Sequence, residues 1–149
     1  LAAVLITEEI YSIVADYTAK LGTLGHGFTS GGNPVSTAVA IENIKIIEER
    51  ELVKRVSILS PLLIGGLRRF SDHPLVGQVR GVGLMAAVEL IADKKTREAF
   101  NPVGSSGNYL SQRCQHHGLI VRNVEDTIAF CPPLSSKKPR LRTLLRVLN

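Results

Sequence analysis

The sequence predicts an α/β fold, and two changes of texture carry that expectation. Across residues 8–70 apolar side chains recur at helical spacing. Beyond about residue 70 the chain turns to short β-branched runs punctuated by glycine and proline, which reads as strands. The expected organisation is helices belonging to an upstream sheet, then a compact strand–strand–helix–strand–strand unit. Internal repeats and low-complexity segments do not occur, and no apolar run reaches the roughly 20 residues a bilayer requires.

Residues 1–6 are continuously apolar, consistent with a strand buried on both faces or the end of one. The opening has neither an initiator Met nor the basic region of a secretory signal, so the chain is expected to enter a longer protein partway. Thr7-Glu8-Glu9 is a cap followed by an acidic first turn, opening a helix through about Lys20 with Ile10, Ile13, Val14 and Tyr17 on one stripe. Asn33-Pro34 repeats the signal: an N-cap, then proline at the first helical position. In the helix that follows, Val35, Ala38, Val39 and Ala40 suit close packing, Ala40, Ile44 and Ile47 then form a narrower face, and Glu42, Lys45, Glu48 and Glu49 point to water. A further stripe runs through Leu52, Val56, Leu59, Leu63, Leu67 and Phe70. Pro61 is expected to kink it, and Gly65-Gly66 to weaken it by about 1 kcal/mol per glycine relative to alanine.

Asp72-His73-Pro74 ends the helical region. Residues 76–93 read as two strands meeting near Gly81 to Gly83, and 94–100 as a polar turn. A short helix over 109–117 follows, capped by Ser105 or Ser106 and stopped by Gly118. Residues 119–122 and 127–130 form a hairpin around Asn123-Val124-Glu125-Asp126, and Pro132-Pro133 closes the pattern.

Hydrophobic content of 44% and charged content of 21% suit a globular protein. The net charge of +5 is not spread over the chain. Lys137, Lys138, Arg140, Arg142 and Arg146 stand in the last fifteen residues with no acid; the remaining thirteen bases balance thirteen acids. That excludes a global nucleic-acid or membrane footprint and leaves a tail able to attract acidic partners locally. Cys114 and Cys131, without repeat spacing, suggest a reducing, cytoplasmic setting and two small buried hydrophobes, a disulfide being the alternative.

The stretch from Gly22 to Pro34 holds five of the thirteen glycines and leads directly into a helix. Glycines admit close backbone approach, a helix start offers unpaired N–H groups, and Thr29 and Ser30 add hydroxyls. An anion site is one reading; an exposed turn that merely introduces the helix is the other. Gly81-Val82-Gly83 lacks the third glycine and the helix of a dinucleotide site, so it reads as a strand bend. Cys114, His116 and His117 have no second ligand pair at metal spacing, and His26, between two glycines, reads as a turn former, contact with a ligand being the alternative. Arg122, expected at the end of an apolar strand, suits bidentate recognition of a carboxylate; pairing with Glu125 or Asp126 across the turn is the alternative.

Four segments together resemble the class III aminotransferases, nearest the ω-amino acid–pyruvate group. They are His26-Gly27-Phe28-Thr29-Ser30-Gly31-Gly32-Asn33-Pro34, Val79-Arg80-Gly81-Val82-Gly83-Leu84, Gly118-Leu119-Ile120-Val121-Arg122, and Asp126-Thr127-Ile128-Ala129-Phe130-Cys131-Pro132-Pro133. The similarity runs to about Leu134. It implies a pyridoxal 5′-phosphate (PLP) enzyme of fold type I acting as a homodimer, with 1–50 ending the large domain, 51–134 forming the small domain and 135–149 an atypical tail. By resemblance Phe28 and Thr29 contact the phosphate of the partner subunit's cofactor, and Arg122 binds the substrate carboxylate. The implied substrates are an ω-amino acid or amine and a keto acid such as pyruvate; no metal, nucleic acid or membrane is implied.

Three departures stand out. The family's cofactor-carrying lysine lies upstream of the segment matching residues 1–6, and Lys20, Lys45, Lys54, Lys94 and Lys95 stand in other contexts, so no catalytic residue is assigned and the chain alone is expected to be inactive. Ser30-Gly31-Gly32-Asn33 replaces the usual Tyr-Ser-Gly-His. The basic tail with Pro139 replaces an acidic amphipathic helix, which suggests a reading-frame shift near residues 134–136.

Overall fold

The computed structural model describes residues 2–22, 24 and 29–148. Contacts divide the chain after Glu49 into two compact units, each described by itself.

The first unit contains α1 (Glu8–Leu21) and α2 (Pro34–Glu49). Both start where local chemistry demands. Thr7 Oγ1 accepts from the Ile10 N–H at 3.4 Å, and Asn33 Oδ1 from the Ser36 N–H at 2.9 Å. Each side chain thereby satisfies one of the donors a helix start leaves open. Neither helix contains a buried residue. Residues 2–6 form no strand and are exposed, contrary to expectation. A strand needs a neighbour for its backbone groups, and no described residue pairs with them.

The second unit contains α3 (Leu52–Arg68), β1 (Val76–Val82), β2 (Met85–Leu90), α4 (Ser105–His116), β3 (Arg122–Val124), β4 (Thr127–Phe130) and α5 (Lys138–Val147). The strands form one antiparallel sheet in the order β1-β2-β4-β3, with Arg80 opposite Ala87, Ala86 opposite Phe130 and Arg122 opposite Ala129. Alternation puts Ala86, Val88, Ile128 and Phe130 on one face, where they meet Leu59, Leu63 and Leu67 of α3 and Leu141 and Leu145 of α5. α3 runs through Pro61 as one element.

Several expectations change here. α4 begins at Ser105 behind Gly104, so neither Ser105 nor Ser106 caps it. It ends as expected: Gly118, at φ +79°, donates to Gln115 O and Leu119 donates to Cys114 O, which satisfies the last carbonyls. Residues 119–121 lie outside the sheet and Ile120 is exposed, because β4 offers only four residues to pair and β3 starts at Arg122. Cys114 is buried and free, and burial pushes its thiol pKa up, whereas Cys131 is free but exposed rather than a core residue. At the 94–100 turn, Asp93 Oδ1 accepts from the N–H groups of Lys95 and Thr96; the bond from Thr96, then that from Lys95, holds its carboxyl below the usual range.

The tail brings the largest change. Residues 138–147 form an amphipathic helix with Leu141 and Leu145 buried and Leu144 half-buried. Pro139 lies in its first turn, where a missing N–H costs nothing. Gly66 makes room for this helix: a Cβ there would sit 2.7 Å from Leu145 Cδ2, while one on Gly65 would meet nothing within 4 Å.

Candidate functional site

Thr29 opens the exposed turn 29–32 ahead of α2. Phe28 and His26 lie outside the described residues. The helix end itself is largely closed by its own cap. Asn33 takes the Ser36 N–H on its side chain and the Thr37 N–H and hydroxyl on its carbonyl, and Pro34 has no N–H to give. The donors this turn offers are therefore hydroxyls and turn backbone rather than the bare helix start. The Thr29 hydroxyl bonds no described residue. A Cβ on Gly32, at φ +69°, would meet nothing within 4 Å, so that side of the turn is open. A phosphoryl group fits this chemistry, since its oxygens accept from hydroxyl and backbone donors.

Arg122 starts the edge strand β3 and is exposed. Its expected setting at the end of a buried apolar strand is not what forms. The alternative of pairing across the turn does not form either. Asp126 is buried and both its oxygens are taken: Oδ2 accepts from the Gly104 N–H at 2.6 Å and Oδ1 from the Gly107 N–H at 2.9 Å. The Arg122 guanidinium makes no hydrogen bond or ion pair to a described residue.

What holds β3 in place was missed in the sequence. Asp126 supplies the cap that α4 lacks locally, and Asn123 Nδ2 donates to Asn108 Oδ1 at 2.8 Å beside it. Gly107 allows the approach, because a Cβ there would overlap the Glu125 carbonyl oxygen and lie 2.9 Å from Asp126 Cα. Glu125 takes the left-handed conformation, φ +52°, to turn the hairpin. The sequence signal was faint: an aspartate just before a strand, and two glycines about twenty residues earlier.

Of the other candidates, Cys114 points into the core while His116 and His117 face outward, so the three do not converge. Gly81 is the next-to-last residue of β1 and packs against β2, with a Cβ there 2.6 Å from Met85 O, and Gly83, at φ +60°, turns the chain between the two strands. Among the described residues no helix is long and apolar enough to cross a membrane.

The profile of the family described as Aminotransferase class-III matches residues 1–149, the tail included. The chain belongs to this family. It is 40% identical over 147 residues to gamma aminobutyrate transaminase 1, mitochondrial, of Solanum lycopersicum, covering 99% of this chain and 28% of that protein. Among solved structures, a thermostable 6-fold mutant of the omega transaminase from Pseudomonas jessenii superposes with a TM-score of 0.84 at 45% identity, over 95% of this chain and 32% of that one. The omega transaminase of the same organism in complex with PMP gives a TM-score of 0.84 at 45% identity, over 95% and 31%. The α/β fold is thus that of these transaminases, and the chain spans only about a third of the length of the relatives it matches, or less.

Proposed function

We propose that this chain is the C-terminal part of a PLP-dependent class III aminotransferase that moves an amino group from an ω-amino acid or amine to a keto acid such as pyruvate. The observation that carries the reading is Arg122: an unengaged guanidinium, exposed at a sheet edge whose hairpin is fastened to α4. Arg122 would receive the substrate carboxylate through two parallel N–H···O bonds, which fixes the orientation of the acid as well as its charge. Thr29, together with Phe28, would hold the cofactor phosphate of the partner subunit in a homodimer. PLP, when bound, supplies the electron sink at the substrate carbon. No lysine within residues 1–149 stands in the family's cofactor-carrying context, so this stretch binds and orients rather than completing the reaction. Residues 1–50 are assigned to the end of the large domain and its connecting helix, and 51–134 to the small domain, whose packing α5 extends. The two unpaired cysteines support a cytoplasmic location.

The test is a chimera in which residues 1–149 replace the matching segment of the Pseudomonas jessenii omega transaminase. Arg122→Ala is expected to raise KM for pyruvate by about 10- to 100-fold, the loss of one charge-assisted pair, while KM for an amine without a carboxylate stays nearly unchanged. Thr29→Ala is expected to weaken retention of pyridoxamine phosphate, followed by its absorbance after gel filtration. An equal rise in KM for both substrates would remove Arg122 from carboxylate recognition.

A further inference from the structure

A basic pocket at the start of two helices lies apart from Arg122 in role and in residues. It measures about 370 Å³ and is lined by Arg50, Lys54, Arg55, Lys137 and Lys138, with Glu51 the one acid. The two groups of bases come from segments more than eighty residues apart and are tied together: Arg55 donates from Nε and Nη2 to Ser136 O, at 3.1 and 2.8 Å. Lys54 pairs with Glu51 at 3.0 Å. The side chains of Arg50, Lys137 and Lys138 bond no described residue.

Like charges are gathered here at a cost, and helix electrostatics raise that cost. α3 and α5 both begin at the pocket wall, where the positive end of each helix disfavours cations. Neither N-cap residue, Glu51 or Lys137, makes a side-chain capping bond, and neither first turn carries an acid. The first-turn N–H groups thus lack side-chain acceptors in the same place where cationic side chains converge. A single neutral ligand would relieve none of this. A compact ligand with several negative charges and many acceptor oxygens would relieve the repulsion and satisfy the donors together.

We propose that this pocket is a binding site for a compact oligophosphate anion, gripped by Arg50 and Lys54 from the α3 side and by Lys137 and Lys138 from the α5 side. The site is independent of the aminotransferase reading. It is confined to the α3–α5 start, which favours a short phosphate chain over an extended nucleic acid.

Calorimetric titration of the 149-residue chain with inorganic tripolyphosphate tests it, at low and at near-physiological salt. Saturable one-site binding is expected, with chemical-shift changes centred on the backbone N–H groups of Leu52, Val53, Lys138 and Arg140. Lys137→Glu/Lys138→Glu and, separately, Arg50→Glu should each weaken binding by about tenfold or more, because each reverses charge within a few ångströms of the anion. Lys95→Glu/Arg97→Glu, the same change of net charge in the 94–100 turn, should leave binding within about twofold. Equal losses in both double variants, or loss with the tail variant but not with Arg50→Glu, would overturn the site. So would single-stranded RNA binding more tightly than tripolyphosphate with shifts running along Arg142 and Arg146.

Discussion

Asp126 is the residue on which the geometry around Arg122 turns. Its buried carboxylate receives two backbone N–H groups of the α4 start, an N-cap delivered from the next hairpin instead of the preceding residue. Replacing it with alanine strips both acceptors and should lower stability by about 1–3 kcal/mol, the range for a lost cap and buried donors left unmade. Asp126→Asn keeps one oxygen and should cost less. Gly107→Ala should cost at least as much as Asp126→Ala, because its methyl would overlap a backbone oxygen that no rotamer change can move away. Urea unfolding of the three variants checks the order. A fully stable Asp126→Ala would mean that the α4 start is satisfied by other acceptors.

The α3–α5 seam separates two neighbouring glycines. Alanine in a helix interior gains roughly 1 kcal/mol over glycine, so Gly65→Ala, with open space around its new methyl, should stabilise by about that amount. Gly66→Ala has the same gain but drives a methyl into the buried Leu145 side chain, an overpacking cost of about 1–3 kcal/mol. Leu145 can yield somewhat, so Gly66→Ala should fall below Gly65→Ala by about 1–3 kcal/mol in thermal unfolding. Equal stabilisation by both would show that α5 does not press on α3 there. The same seam marks the limit of what the sequence conveys. Elements fixed by nearest neighbours were legible: Thr7 and Asn33 cap as their positions predict, Gly118 stops α4, and the α3 leucine stripe is the one that becomes buried. Elements fixed by distant partners were not. Leu141, Leu144, Leu145 and Leu148 stand among five bases in the tail, and their helical spacing has meaning only against α3. Residues 119–121 look like a strand, yet the length of β4 decides where pairing starts. At the candidate site, Thr29 and Arg122 stood out by residue type and setting, while the Asp126 clamp works through backbone N–H groups that no side-chain pattern reveals.

Across the whole chain, stability should be divided as the burial is. The second unit has a continuous core from Leu59 through Leu145, built of contacts between segments far apart in sequence. In the first unit every described residue is exposed except Val14, Ala40, Ile46 and Ile47, which are half-buried. Helices of 14 and 16 residues are marginal in water when little apolar surface is buried, since local hydrogen bonds barely repay the ordering of the backbone. Hydrogen exchange by mass spectrometry should therefore find the amides of α1 and α2 exchanging near their intrinsic rates, and those of α3, β2 and β4 protected by most of the global unfolding free energy. The exposed apolar stripe of α1, carrying Ile10, Ile13 and Tyr17, is a surface that another chain or another part of a longer protein would cover. Protection of α1 should rise when these residues find a cover, so exchange measured within the chimera should be slower in α1 than in the 149-residue chain, with α3 little changed. Strong protection of α1 in the isolated chain at high dilution would contradict this division, because it would require a stabilising contact that the exposure of its apolar face does not provide.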